Sequence, residues 1–354
     1  MPPSQANPNA WLLIDDKPGH ASQVIGLAKK LGMVATSKYL SFNVLNHLPN
    51  PLLGGSLLTI DGNSASQLKS PWPHTVIGMG RRVVPVARWI AAQNAGKTRV
   101  ILLGRKVSIN AKRNEFLVSC SHFNHVKVPG MIELLVPPTK VDREGLAELR
   151  NTTENPMAGL AKPHHLILVG GPTVLHRFGA DEAAALAQSL SMVGSGSLVI
   201  LTSPRTPEHA IEALQQRLPP AHFYIWQRIE KHNLYLAYLA YADTITVTGE
   251  SESMLAEAVA TGLPLTIYPL PTKPISLKMR VLGILRTAAD QTNLWGRICH
   301  KFFAAGWITP PRELERMHAA LVAAKRAVIF DGEININKPA ESDEADRSAE
   351  RLNE

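Results

Sequence analysis

A histidine one residue after a glycine, at the end of the first apolar run, is the side chain in this sequence best suited to proton transfer. It lies in the segment Asp15-Asp16-Lys17-Pro18-Gly19-His20-Ala21-Ser22-Gln23. Gly19 permits a tight turn there, and an imidazole at position 20 can take a proton from a hydroxyl near neutral pH. The plainer alternative is a ring that only bonds a neighbouring loop carbonyl. A second glycine turn, Gly78-Met79-Gly80, is followed by Arg81 and Arg82. Two guanidinium groups at the mouth of a helix suit a phosphate or another anion, and two solvated arginines at a helix start fit equally. Val83 stands where a dinucleotide fingerprint needs its third glycine, and GxGxxG occurs nowhere in the chain, which argues against a nicotinamide-dependent enzyme.

Three further stretches have the same character. Gly170-Gly171-Pro172-Thr173 follows an apolar run, and paired glycines let backbone N–H groups approach a diphosphate closely. Thr202-Ser203-Pro204-Arg205-Thr206-Pro207 places hydroxyls and one guanidinium after the next run. In ADTITVTGESESMLAEAVATGLP, residues 242–264, the helix-opening N–H groups through Ser253 and Met254, together with Ser251, can hold a phosphate at the positive end of a helix. Glu250, Ser253 and Glu257 share a helical face in this reading, with Leu255 and Val259 on the other. Glu257, two turns in, sits where a carboxylate can accept both ribose hydroxyls. Acids that only complement the helix dipole are the competing reading, stronger for Glu250 than for Glu257.

These loops need strands to position them. Short apolar runs alternating with helical patterns specify an α/β chain with parallel sheets buried on both faces. The strands expected in the first half are 11–15, 57–60, 75–78, 99–103 and 116–119, with helices over 22–31 (opened by Ser22, closed by Gly32) and 83–93. In the second half, strands are expected at 166–169, 198–202, 223–226, 244–248 and 265–268, with helices over 181–192, 207–217, 234–241 and 252–261. Helical patterns return at 297–304 and 312–329, and a chain-terminal helix could pack back on the first domain. The expected organisation is a disordered start (1–10), an acceptor-side Rossmann-like domain (11–150), a linker (151–163), a nucleotide-sugar domain with terminal helices (164–330) and a charged tail (331–354). Two doubly wound domains would face a cleft at the carboxyl ends of their sheets.

The chain has 354 residues, 45% of them hydrophobic and 19% charged, which excludes collagenous or wholly disordered classes. Its 37 Lys and Arg against 29 Asp and Glu give a formal charge of +8. Lys338–Glu354 holds three basic and six acidic residues, so the remainder carries +11, three more than the whole. The basic residues are scattered without interleaved aromatics, which argues against nucleic acid. Cys120 and Cys299 form neither a disulfide framework nor a metal motif, consistent with a reduced cytoplasmic setting. The N-terminal stretch has no signal-peptide pattern, and no apolar window is long enough to span a bilayer. No amphipathic insertion helix stands out in the sequence.

The loop order resembles that of GT-B glycosyltransferases, particularly the lipid-acceptor enzyme of peptidoglycan synthesis, through Gly19-His20, Gly78-Met79-Gly80, Gly170-Gly171 and the segment from Ala242-Asp243 through Glu257-Ala258 to Gly262-Leu263-Pro264. A closer resemblance is to the family named for a plant mitochondrial-fission protein. Its motifs are similar to DDKPGHASQ, MGRRVVPVA, GGP, TSPRTP and ADTITVTGESESMLAEAVATGLP over nearly the whole chain. Asp16 replaces a usual Gly, Pro204 an Arg and Glu250 an Asp, so a two-arginine phosphate clamp is reduced to Arg205. The resemblance implies a GT-B-like fold and transfer of a sugar from a nucleoside diphosphate sugar to an envelope glycolipid or other acceptor, with no cofactor and no required metal. His20 would be the base. Gly170, Gly171, Thr173, Arg205, Glu250, Ser251, Ser253, Met254 and Glu257 would hold the donor, and Asp16, Lys17, Gly19, Gly80, Arg81 and Arg82 would form an acceptor or phosphate loop. It also implies a cytoplasmic protein, with peripheral contact at the inner membrane. The alternatives are a non-catalytic, membrane-recruited interaction protein of the same family and a nucleotide-sugar epimerase.

Overall fold

Among the described residues, twelve segments of two to six residues form strands, and the central ones are hydrophobic on both faces, as buried parallel strands must be. The computed structural model describes residues 10–218, 221–227 and 234–337. The expectations for the start of the chain and for the tail lie outside the described residues except at positions 10 and 331–337.

The elements run β1 (Ala10–Ile14), α1 (Pro18–Lys30), β2 (Ala35–Tyr39), the short α2 (Asn50–Leu53) and α3 (Gly62–Ser66), β3 (Thr75–Met79), α4 (Val84–Gln93), β4 (Arg99–Leu103), β5 (Glu115–Cys120) and β6 (Met131–Leu134). They continue with α5 (Arg143–Thr152), β7 (His164–Val169), α6 (Ala180–Leu190), β8 (Ser197–Thr202), α7 (Glu208–Arg217), β9 (His222–Tyr224), α8 (Tyr235–Tyr241) and β10 (Thr244–Thr248). The last are α9 (Glu252–Thr261), β11 (Leu265–Tyr268), α10 (Leu277–Ala288), α11 (Leu294–Ala304), α12 (Leu314–Ala323) and β12 (Val328–Ile329). Two six-stranded parallel sheets result, ordered β2-β1-β3-β4-β5-β6 and β12-β11-β10-β7-β8-β9. The fold class is therefore α/β with two Rossmann-like, doubly wound units, as the GT-B-like reading requires of the chain.

Alternation along the strands builds each core. In the first unit Trp11, Leu13, Val76 and Leu102 fill one face of the sheet with α4, while Leu12, Ile14, Ile77 and Leu103 fill the other with α1. In the second, Ile167, Val169 and Ile200 pack on α6 and α7. Each such side chain contributes roughly 1.5–3 kcal/mol on burial.

The compact units divide differently from the sequence expectation of 11–150 and 164–330. Among the described residues, one runs to Lys140 and resumes from Ser276 to Glu313; the other holds Val141–Ile275 and Leu314–Asn337. The polar segment 151–163 thus lies inside the second unit, where Met157 is fully buried. It follows α5, capped by Asp142, whose carboxylate accepts from the Gly145 N–H at 2.8 Å, and α5 packs on α8 and α9. Leu57–Ile60 is not a strand. The polar ATSKY of β2 takes the place beside β1, and Leu57 and Ile60 pack on the core from a turn, with only an isolated bridge between Phe42 and Ile60. The helix expected over 312–329 stops at Ala323. Lys325 turns left-handed at φ 55°, and Val328–Ile329 pairs with β11 as an edge strand.

Candidate functional site

In each sheet one pair of neighbouring strands sends the chain in opposite directions, and loops leaving such a pair at their carboxyl ends are where doubly wound folds bind ligands. In the first sheet the pair is β1 and β3; in the second it is β7 and β10. Four of the five loops singled out from the sequence, after Ile14, Met79, Val169 and Thr248, leave these four strands; the fifth, at Thr202–Pro207, leaves β8 beside β7.

At the first switch point α1 begins at Pro18, whose fixed φ suits a first helical position, so His20 lies in the first helical turn, and Ser22 is interior rather than the cap. His20 Nδ1 lies 2.8 Å from Asp15 Oδ2, and Asp15 is almost fully buried at the end of β1. With Asp15 ionised, Nδ1 carries the hydrogen and donates, which leaves Nε2 as the acceptor. Asp15 also accepts from the Lys17 N–H at 3.1 Å and from Arg82 Nη2 at 2.7 Å. Burial alone would raise the Asp15 pKa, but the hydrogen bond and charge of His20, with the bonds from Arg82 and Lys17, hold it below the usual carboxylate value. Gly80 takes φ 83°, and a Cβ there would stand 3.1 Å from His20 Cε1, so this glycine leaves room for the ring.

The two arginines have different surroundings. Arg82 does not present a free charge: it pairs with Asp15 and Asp16 and stacks over Phe42. The expectation of two guanidiniums open to an anion is corrected to one. Arg81 donates to the Leu48 carbonyl at 3.0 Å and has no carboxylate partner among the described residues. Near it, Lys106 is held below the usual lysine pKa by burial and then by the charges of Arg105, Arg81, Lys17 and Lys278.

At the second switch point Glu250 sits in the turn between β10 and α9, not on the helical face read from the sequence, and is almost wholly buried. Its Oε1 accepts from the Gly171 N–H at 2.9 Å and lies 3.5 Å from Arg205. Thr248 Oγ1 accepts from the Gly170 N–H at 2.8 Å, and Thr206 Oγ1 donates to the Gly170 carbonyl at 2.6 Å. The paired glycines are steric requirements. A Cβ on Gly170 would fall 1.7 Å from Glu250 Oε1, and one on Gly171 would fall 2.1 Å from the Arg205 carbonyl oxygen. Burial outweighs the Gly171 N–H, its own backbone N–H, the Arg205 charge and the Thr248 hydroxyl, so the Glu250 pKa is raised. Its other oxygen, Oε2, has no hydrogen-bond partner among the described residues.

Ser251 is the N-cap residue of α9, and its side chain makes no capping hydrogen bond. Ser253 is exposed, while Met254 and Glu257 are half-buried. Glu257 Oε2 accepts from Tyr235 at 2.7 Å, and burial followed by the Glu257 charge pushes the phenol well above its ordinary pKa, so it stays a donor. Thr173 closes its own loop by accepting from the Leu175 and His176 N–H groups, and its carbonyl accepts from Lys273. Sequence reading missed the parts played by Asp15, Thr248 and Tyr235. A carboxylate ending a strand five residues before His20 was a legible signal for the first, but nothing local marks Tyr235 as the partner of Glu257. Among the described residues no three His, Cys, Asp or Glu side chains are grouped to hold a metal, and no helix is long and apolar enough to cross a membrane.

Two Rossmann-like α/β units, each with polar loops gathered at the switch point of its sheet, define the class of protein. Within it the chain belongs to the mitochondrial fission ELM1 family, whose pattern matches residues 18–286. It is 32% identical over 131 residues to the mitochondrial fission protein ELM1 of Arabidopsis thaliana, covering 36% of this chain and only 30% of that protein. It is 25% identical over 316 residues to the uncharacterized protein RP120 of Rickettsia prowazekii, covering 77% and 86% of the two chains. Similar solved structures include MurG of Acinetobacter baumannii (TM-score 0.42, 14% identity, 92% and 97% of the chains) and UDP-N-acetylglucosamine 2-epimerase of Rickettsia bellii (TM-score 0.45, 11% identity, 98% and 95%).

Proposed function

We propose that the protein is a glycosyltransferase that moves a sugar from a nucleoside diphosphate sugar to an acceptor hydroxyl in cell-envelope glycoconjugate synthesis, working in the cytoplasm and at the inner membrane face. The observation that carries this reading is the loop pair after β7 and β10: two glycines drawn onto a buried carboxylate beside a helix N-terminus whose cap side chain is uncommitted. Backbone N–H groups and a helix start at a switch point form an anion site of the kind that binds diphosphates.

In this reading the α9 N-terminus and Arg205 stabilise the departing diphosphate, Glu257 holds the ribose, and Glu250 shapes the loop from beneath. His20 Nε2 removes the acceptor proton while Asp15 positions the ring. The acceptor oxygen bonds to the anomeric carbon as the bond from that carbon to the diphosphate oxygen breaks, and the nucleoside diphosphate leaves as the anion. Stabilising that anion matters more than proton transfer, which contributes about 10²–10⁴-fold. Titration calorimetry with UDP, GDP and ADP sugars tests the reading. One series should bind, Glu257→Ala should weaken it, and His20→Ala should slow transfer about 10²–10⁴-fold while leaving binding intact. Silence across the panel would favour the non-catalytic interaction protein that the family name suggests, and turnover without acceptor would favour an epimerase.

A further inference from the structure

Helices α10 and α11 pack against each other in the first unit, and their inner faces are firmly held. Ala288, Ala289, Cys299 and Phe303 form a small core with Val126. Arg286 is buried, donating to the Asn124 and His125 carbonyls at 2.7 and 2.8 Å and pairing with Asp290 at 2.7 Å. The outer faces are unusual for an ordinary solvated surface. On α10, Leu277, Val281 and Ile284, spaced four and three residues apart, are 77, 46 and 68% exposed. On α11, Leu294, Trp295, Ile298 and Phe302 lie within about a third of a helical turn of one another and are 38–68% exposed. Trp307, just past α11, is 53% exposed.

Cations border these stripes. Lys278 and Arg280 lie on either side of the α10 stripe, and Arg297 and Lys301 lie along one edge of the α11 stripe. All four are exposed, and none makes an ion pair among the described residues. From Leu277 to Ala304 the only acid is Asp290, which is occupied by Arg286.

We propose that the outer face of the α10–α11 hairpin is a docking surface for an anionic lipid bilayer, with its leucine, isoleucine and aromatic side chains entering the headgroup boundary and its four free cations contacting lipid phosphates. An apolar stripe edged by Lys and Arg, with Trp and Phe at its margin and no free acid, has the composition of helices that lie in a membrane interface. A protein partner of ordinary chemistry would not require this exclusion of carboxylates. The positive field also continues inward, because Lys278 acts on Lys106 together with Lys17, Arg81 and Arg105, around the loops that carry His20. The inference deepens the membrane-side part of the proposed function, yet its readout is lipid binding and is independent of donor binding.

The test is co-sedimentation of the full chain with phosphatidylcholine vesicles, with and without phosphatidylglycerol, combined with quenching of tryptophan fluorescence by brominated lipid. Binding should require phosphatidylglycerol and weaken with salt. The pair Ile284→Asp with Trp295→Ser should reduce it at least tenfold. Replacing Lys278, Arg280, Arg297 and Lys301 by Gln should cost roughly fivefold for each cation lost. Because all of these side chains are exposed, folding measured by circular dichroism should be unchanged, and calorimetric donor binding by the variants should match that of the parent. No binding to anionic vesicles, or equal binding by the apolar pair variant, would overturn the proposal. So would a dimer in sedimentation velocity that this variant dissolves, since the hairpin would then be an interface between copies.

Discussion

Gly170→Ala puts the second loop site to a quantitative test. The added Cβ would lie 1.7 Å from Glu250 Oε1 and 2.7 Å from its carboxyl carbon, where ordinary contact begins at 3.4 Å. A shift of a few tenths of an ångström cannot relieve that overlap, so the Glu250 side chain must leave a pocket in which it is almost wholly buried. Its hydrogen bond from the Gly171 N–H is lost with it. Overpacking of this kind costs about 1–3 kcal/mol, and a stranded buried N–H about 1–3 kcal/mol more, so a loss of about 3 kcal/mol from the second unit is expected. The assay is urea unfolding of four proteins: the parent, Gly170→Ala, Glu250→Ala and the double variant. In the Glu250→Ala background the methyl enters space the carboxylate has vacated, and the glycine substitution should then cost under about 1 kcal/mol, a coupling of about 2 kcal/mol. An equal cost in both backgrounds would refute the packing of Glu250 beneath the glycine loop.

Two further outcomes follow from the first unit. Asp15→Asn should leave His20 without its carboxylate acceptor and favour hydrogen on Nε2, visible in ¹⁵N NMR of the ring, with transfer falling about 10²–10⁴-fold; an unchanged tautomer would show that Asp15 does not orient the ring. His125 is held down to about 4 from 6.5 by burial and the nearby charges of Arg105 and Arg286. The unfolded chain therefore binds this proton at higher pH than the folded one. Stability present above pH 6.5 should drain away as pH falls toward 4, by about 3 kcal/mol, and His125→Gln should flatten that part of the urea-measured profile.

Central strands were legible because they are apolar on both faces, as in Leu166–Val169, and the loops that follow them could be read for chemistry. The edge strands were not. ATSKY in β2 is polar and half exposed, and β6 carries Glu133 in its middle, so neither shows the pattern of a buried strand. Helix α10 was missed because its apolar stripe, Leu277, Val281 and Ile284, faces outward, while the inner face buries the charged Arg286 beside Ala288, the reverse of the pattern by which a surface helix is read. At the site, residue types were readable while their partnerships were not. Helical spacing put Glu250 on one face with Ser253 and Glu257, whereas the turn at Gly249–Glu250 folds it under the glycines. Arg82 read as a free cation because Asp15 looked like the end of a strand rather than its counter-ion.

Hydrogen exchange of the intact chain with and without UDP, GDP and ADP tests most directly whether the loops after β7 and β10 grip a nucleoside diphosphate. One of the three should slow exchange in the peptides spanning Gly170–Thr173 and Gly249–Glu257, and Glu257→Ala should diminish that protection. Protection confined to the loops after β1 and β3, or none from any of the three, would contradict the assignment.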